Sequence, residues 1–474
     1  MKRAATVIGS GPNGLSAAIV LAQAGWDVVV REASLSIGGG IRSAELTLPG
    51  FVHDVCSAVH PMAFSSPFFS KLQLQTHGLN WVWSPAALAH PLDDGTAITL
   101  ERRLDETTRQ FLQDSTSYKA LFKSLVKKWR TLVQEILRPQ PYVPKHPFLL
   151  AHFGLGAIQP ATRIANNHFR DLRARALWAG VAAHSILKLE APLSSAFGLI
   201  MGASAHAVGW PIPRGGTQNI ANALSSVLNS LGGRIVTGSR VGSLDELGGQ
   251  DATLCDVTPR QLLALARGRL PNGFRRSLER YQYGPGVFKV DWALREPIPW
   301  KAKECRRAAT IHLGGSLEEI ARSECDAWEG RPPHRPFVLL CQPSLFDPSR
   351  APAGHHTAWA YCHVPNGWPD CALPDIEAQV ERFAPGFRDC VLATATRNTK
   401  QMEESNENLI GGDIAGGAPT FRQFFFRPTW RQYRTPLKGV YLCSSSTPPG
   451  ASVHGMCGYW AAKWVLADSK KSRF

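Results

Sequence analysis

The sequence predicts an α/β fold of at least two domains, and three observations carry that expectation. Within the first 32 residues a β-branched run, a glycine-rich turn, an apolar helical stretch and a second β-branched run follow one another without a gap. Strand-like pieces bounded by small turn residues return between 234 and 257 and again at 439–443. The 474 residues also exceed what a single hydrophobic core ordinarily serves.

In the opening unit, Thr6-Val7-Ile8 reads as a strand, Gly9-Ser10-Gly11-Pro12-Asn13-Gly14 as a turn, Leu15 to Ala24 as a helix stopped by Gly25, and Val28-Val29-Val30 as a second strand closed by Glu32 and Ala33. Gly9 permits the tight turn, Gly11 lets the backbone approach a pyrophosphate, and Gly14 lets the helix pack on the sheet. The helix N-terminus offers unpaired N–H groups and partial positive charge to phosphates. Glu32 would accept hydrogen bonds from a ribose and repel a 2′-phosphate, which argues against NADP. A second cluster, Gly38-Gly39-Gly40 with Arg42 and Ser43, brings backbone and guanidinium to a phosphate from the other side.

Farther along, Tyr118, Leu121, Phe122, Leu125, Trp129, Leu132, Val133 and Ile136 recur at helical spacing, opposite Lys119, Lys123, Lys127, Lys128 and Arg130. Prolines 139, 141, 144 and 147 then precede the apolar Phe148-Leu149-Leu150. The basic amphipathic stretch 118–137 and Phe148–Leu150 are expected either to frame a substrate entrance and touch an anionic membrane peripherally, or to pack inward. More helix is expected over 161–189 and 195–208. Thr217 is expected to cap a helix whose apolar face is Ile220, Leu224, Val227, Leu228 and Leu231. Arg234-Ile235-Val236 with Val241, and Ala252 to Val257, read as further strands of the first sheet. Between 288 and 395 the pattern is one of short strands, such as Phe337–Leu340 and Ala358–Tyr361. At the end, Gly439 to Cys443 forms a strand, Ser444 to Gly450 a small-residue turn, and Val453-His454-Gly455-Met456-Cys457-Gly458 opens a helix.

The composition, 44% hydrophobic and 19% charged, excludes a disordered chain. Ten scattered cysteines with no C-x-x-C spacing suit neither a disulfide scaffold nor a zinc site and point to a reduced, cytoplasmic location. The net charge of +15 fits an anionic substrate or a membrane surface; nucleic acid rests on charge alone and is not expected as a partner. Glycines break the N-terminal apolar run, so no signal peptide is expected, and the uncharged stretch 191–213 is too diluted for a spanning helix. His355, His356 and His363 lack a carboxylate or thiolate at ligand spacing, so no metal is expected. A hydrolase elbow, Gly-x-Ser-x-Gly, is missing.

Gly9-x-Gly11-x-x-Gly14, Glu32, Ser36-x-Gly38-Gly39-x-x-Arg42 and the 439–465 segment resemble the FAD fingerprints of the phytoene desaturase or phytoene dehydrogenase-like family, within the flavin amine oxidase superfamily. That resemblance implies a Rossmann-like FAD-binding domain of the glutathione-reductase-2 type, interrupted by an α+β substrate domain with an antiparallel sheet. On this basis the FAD domain takes 1–105, 210–287 and 401–474, and the substrate domain takes 106–209 and 288–400. The implied FAD contacts are Gly9, Ser10, Gly11, Pro12, Asn13, Gly14, Glu32, Ala33, Gly38, Gly39, Gly40, Arg42, Ser43, Val241, Ser444, Ser445, Val453, His454, Gly455 and Met456. Ser445 stands where related amine oxidases place an acid, closer to the desaturase branch.

The implied activity is dehydrogenation of a largely apolar small molecule by hydride transfer to flavin N5, with oxygen, a quinone or a carrier as electron acceptor. A flavin amine oxidase is the alternative enzyme, and a lipid-binding escort of the GDP-dissociation-inhibitor type is the alternative without catalysis. His60 and His454 are the candidates for proton transfer or substrate contact, or else for hydrogen bonds to flavin or backbone.

Overall fold

A computed structural model describes residues 2–471. Its first sheet is five-stranded and parallel, in the order Val440–Leu442, Ala252–Cys255, Ala4–Ile8, Asp27–Arg31, Arg234–Val236. Val7 lies between Leu254 and Val30 in register, so the central strand reads as a continuous apolar run with both neighbours paired. Helix Pro12–Gln23 packs against both helix Gln218–Ser230 and the C-terminal helix Met456–Lys471. A Cβ on Gly458 would overlap the Asn13 carbonyl, and one on Gly14 would overlap the Gly9 carbonyl. Gly458 thus lets the first turn of the C-terminal helix reach the backbone of helix Pro12–Gln23, while Gly14 lets that helix start directly on the Gly9 turn.

The second sheet has seven strands, in the order Val391–Arg397, Gly286–Leu294, His356–Val364, Val338–Cys341, Ala308–Leu313, Ala86–Pro91, Ala97–Glu101. Only the Ala308–Leu313 and Ala86–Pro91 pair is parallel. Strands 86–91 and 97–101 fall inside the 1–105 stretch expected for the cofactor domain, yet they extend this sheet. Their partner lies some two hundred residues away, and no local pattern reveals such a pairing. Two of the strands, Gly286–Leu294 and His356–Val364, are nine residues long rather than short.

The two faces of this sheet differ, because side chains alternate along a strand. One face buries Phe288, Val290, Trp292, Leu340, Ala360 and Cys362 against helix Leu373–Phe383. In register on the other stand Arg397, Lys289, Asp291, Trp359, Tyr361, His363 and His312.

The amphipathic stretch 118–137 breaks at Lys128 into helices Ser115–Lys127 and Trp129–Ile136. Tyr118, Phe122, Leu125, Trp129, Leu132 and Val133 are all buried, so its apolar face packs inward. Among the described residues no helix is long and apolar enough to cross a membrane. Thr217 does occupy the N-terminal cap position of Gln218–Ser230, but its hydroxyl donates to the Ser57 carbonyl at 2.8 Å. The helix start is held instead by Asp54, which accepts the Thr217 N–H at 2.8 Å.

Asp54 and Arg350 form a fully buried ion pair at 2.7 Å that ties the early segment 52–54 to the loop before His356. Burial alone would push the Asp54 carboxyl up; the Arg350 guanidinium and the donors from Thr217 and Ser43 pull it below its ordinary value. A depressed carboxylate stabilises the fold above about pH 4 and loses that contribution as pH falls through its folded value. Replacing Arg350 with Met strands the carboxylate, and the expected loss is about 3–5 kcal/mol at pH 7. Chemical denaturation at pH 7 and pH 3 checks this. Wild type should lose stability on acidification more steeply than Arg350→Met.

Candidate functional site

The two glycine loops meet. Gly9, at φ +96°, donates to the Arg31 carbonyl at 2.8 Å, and Gly38, at φ +115°, donates to Ser10. A Cβ on Gly39 would sit 3.3 Å from the Gly11 Cα, so the second loop lies directly on the first. Glu32 binds this assembly: one oxygen accepts from Ser10 N at 2.8 Å and Ser10 Oγ at 2.6 Å, the other from Ser34 N at 2.8 Å. Arg42 is pinned by its bonds to Gly39 O, Ser34 Oγ and Ser405 O. Among the other expected contacts, Ser43 donates to Asp54 at 2.7 Å, Ala33 is exposed, and Val241 packs with Ile8, Cys255 and Leu442 at the apolar edge of the first sheet.

Asp256 escaped the sequence reading. It follows strand Ala252–Cys255, and its carboxylate accepts from Gly14 N at 2.8 Å, at the start of helix Pro12–Gln23. A Cβ on Gly11 would come within 2.7 Å of the same oxygen. Burial, with the charge of Glu32 nearby, pushes its pKa up to about 7 against the pull of the Gly14 N–H. An acid whose burial favours its neutral form therefore borders the Gly11–Gly14 turn.

The C-terminal turn closes the cleft. Ser444 Oγ donates to Val257 O and Ser446 Oγ to Gly416 O, both at 2.7 Å, while Ser445 lies against Gly416. The 413–417 loop, also unforeseen, is held by Asp413 accepting from Gly284, Ala415 and Gly417 N–H groups, and by Arg427 and Tyr281 binding the Gly417 and Gly416 carbonyls. Gly455, at φ +68°, packs against Ser16 and Phe69, and Val453 joins the same core.

His454 sits before the N-terminus of Met456–Lys471. Its Nδ1 accepts from Met456 N at 3.0 Å, so in the neutral ring the proton is on Nε2, a buried atom without a partner. Burial lowers its pKa to about 4. His60 is also buried and lowered to about 4, and its Nε2 lies 3.1 Å from Thr217 Oγ1. Thr217 already donates to Ser57, so His60 Nε2 donates to Thr217. Both histidines are neutral hydrogen-bond donors at physiological pH.

Segment 53–60 joins the glycine loops to the second sheet. Val55 N donates to Arg42 O at 2.8 Å, and Ser57 Oγ donates to Gly40 O at 3.0 Å. On its other side Arg397 donates to Val55 O, and His53 Nδ1 lies 3.5 Å from Asp291. There the sheet carries a buried Lys289–Asp291 ion pair, with Lys289 Nζ 5.3 Å from the centre of the Trp359 ring, which stacks on Tyr361. Burial lowers the Lys289 pKa, opposed by Asp291. His363 is held by both oxygens of Glu324 at 2.8 Å.

These residues fit FAD. A dinucleotide needs backbone without side chains at its pyrophosphate, which Gly11 and Gly39 supply, and a ribose acceptor, which Glu32 supplies. The buried Nε2–H of His454 and the partnerless Oδ1 of Asn13 are polar atoms that a ligand would satisfy.

Residues 7–71 match the NAD(P)-binding Rossmann-like domain family. The chain is 26% identical to pyridine nucleotide-disulfide oxidoreductase domain-containing protein 2 of Mus musculus, over 98% of this chain and 94% of that one. It is 25% identical to hydroxyneurosporene desaturase of Rhodobacter capsulatus, over 98% and 97% of the two chains. A solved structure of a redesigned putrescine oxidase shares the fold, with a TM-score of 0.64 at 14% identity over 98% of this chain and 99% of that one.

Two binding results follow from this geometry. Bound pyrophosphate raises the Asp256 pKa further, so FAD binding takes up a proton and its affinity should fall as pH rises from 6 to 8.5, by at most about tenfold per unit. Calorimetric titration of the apoprotein measures this, and Asp256→Asn should flatten the profile. Gly11→Val should abolish uptake of FAD at every pH.

Proposed function

We propose that this chain, an FAD-dependent oxidoreductase of the phytoene desaturase-like family, dehydrogenates a largely apolar organic substrate to leave a carbon–carbon double bond. One observation supports the reading above the others. Segment 53–60 is bonded to the second glycine loop on one side and to the Lys289–Asp291 face of the sheet on the other. The cofactor cradle and the buried polar groups are thereby one site.

FAD, when bound, supplies the hydride acceptor at its N5. The chain's own groups then hold the cofactor and place the second hydrogen, which leaves as a proton. Lys289 Nζ is the group for that proton: its burial brings the neutral amine within reach, and Asp291 holds the resulting ammonium. His60 is committed to Thr217, and His454 offers a fixed N–H donor, which orients a carbonyl or ring nitrogen rather than shuttling a proton. The apolar character of the substrate draws support from the hydroxyneurosporene desaturase among the relatives.

Amine oxidation is less well served. An ammonium-bearing substrate would face Arg397, and Asp291, the lone carboxylate among the face residues named above, is already paired with Lys289. We place the electron acceptor among oxygen, a quinone or a carrier.

The purified chain should be yellow, and heat should release FAD. Lys289→Met should keep the bound-flavin spectrum while slowing anaerobic flavin reduction by a polyene or terpenoid substrate about 10²-fold or more. A reduction rate equal to wild type would remove Lys289 from the chemistry. A colourless protein that takes up no added FAD would overturn the reading as a whole.

A further inference from the structure

Eight of the fifteen large exposed apolar side chains among the described residues fall in two short segments, 143–158 and 421–430. Val143, Phe148 and Leu155 lie in the proline-rich loop and the helix Pro147–Ala157 that follows it; Phe421, Phe426 and Trp430 lie in the 421–430 segment. Phe148 is 90% exposed, Val143 88% and Trp430 73%. The two segments abut: the Gln432 side chain donates to the Gln140 carbonyl, and Trp460, beneath both, donates to Leu137 O at 2.9 Å.

The charge around them is one-sided. Residues 115–170 and 414–438 together hold fourteen lysines and arginines and a single acid; of the cations, Arg427 is buried, Lys119 pairs with Asp105 and Arg434 with Asp468. That acid, Glu135, is buried and accepts from the Lys145 and His146 N–H groups, so it adds little negative charge outside. Lys127, Lys128, Arg130, Lys145, Arg422 and Arg431 are all exposed.

We propose that this face docks on an anionic lipid bilayer, inserting Phe148 and Trp430 with their apolar neighbours among the headgroups while the surrounding cations meet lipid phosphates. Apolar side chains ringed by cations are the composition of an interfacial membrane contact. A second copy of this chain is a poor occupant, because two such faces would bring like charge together. Nucleic acid is a poor one too, since Val143 and Leu155 have nothing to offer a base.

Co-sedimentation of the FAD-loaded full chain tests the proposal, with vesicles of phosphatidylcholine alone or with 30% phosphatidylglycerol. Binding should require the anionic lipid and fall at least tenfold between 50 and 500 mM salt. The double variants Phe148→Ser with Trp430→Ser, and Arg422→Glu with Arg431→Glu, should each weaken binding at least fivefold. All four side chains are exposed, so the flavin spectrum and melting temperature should stay at wild-type values. No binding to anionic vesicles, or equal binding to neutral ones, overturns the proposal. So does variant binding equal to wild type. If vesicles fail while a single-stranded oligonucleotide binds, or while light scattering shows a dimer that Trp430→Ser dissolves, the face belongs to that occupant instead.

Discussion

Everything in the cofactor cleft depends on one close contact between backbones. Gly455 and Gly458 bring the start of helix Met456–Lys471 onto helix Pro12–Gln23: a methyl group on Gly458 would strike the Asn13 carbonyl, and one on Gly455 the Ser16 hydroxyl. The first helix starts at the glycine turn and the last starts beside His454. Their crossing therefore sets both helix N-termini, and the partial positive charge each carries, on one cleft. Residues more than four hundred positions apart become neighbours because two side chains are missing.

A second constraint governs the far wall. Apart from its edge strand Val391–Arg397, the seven-stranded sheet is largely buried on both faces, and one of them is mainly apolar. On the other, lysine, aspartate, arginine and histidines sit away from water, where unpaired charge is expensive. The chain answers with pairing: Lys289 with Asp291, His363 with Glu324, Arg350 with Asp54. Such pairs contribute little net stability compared with apolar packing of equal size. Two of these pairs, Lys289–Asp291 and His363–Glu324, stand on the face joined to the glycine loops, and Arg350–Asp54 anchors the segment that joins them.

The sequence showed clearly whatever is local. The glycine turn, Glu32 at the end of the second strand, the second glycine cluster and the C-terminal strand–turn–helix each lie within a few dozen residues and carry their meaning in spacing. Asp256, Asp413 and Lys289 did not show. Each is an ordinary charged residue near a strand or loop, and only pairing across the fold gives it a role: Asp256 with Gly14, Asp413 with Gly284, Lys289 with the segment after the glycine loops. That strands 86–91 and 97–101 extend the second sheet was hidden for the same reason, since register with Ala308–Leu313 is invisible locally. The amphipathic helix was read correctly as amphipathic, but periodicity alone does not say whether an apolar stripe meets a core or a membrane.

His60 and His454 illustrate why residue type is a weak guide to role. Histidine in a cofactor cleft suggests a proton shuttle because its ordinary pKa lies near neutrality. Here burial lowers both to about 4, so the imidazolium form is scarce at pH 7 and neither ring can donate and regain a proton cheaply. What burial removes in acid–base capacity it returns as geometry. The Met456 N–H fixes the His454 tautomer and aims a dry Nε2–H outward from the helix N-terminus, where a dipole and a hydrogen bond point the same way. A donor of that kind stabilises negative charge without moving a proton. Lysine is ordinarily held protonated at neutral pH; at Lys289 burial pulls toward the neutral amine while the Asp291 carboxylate pulls the other way.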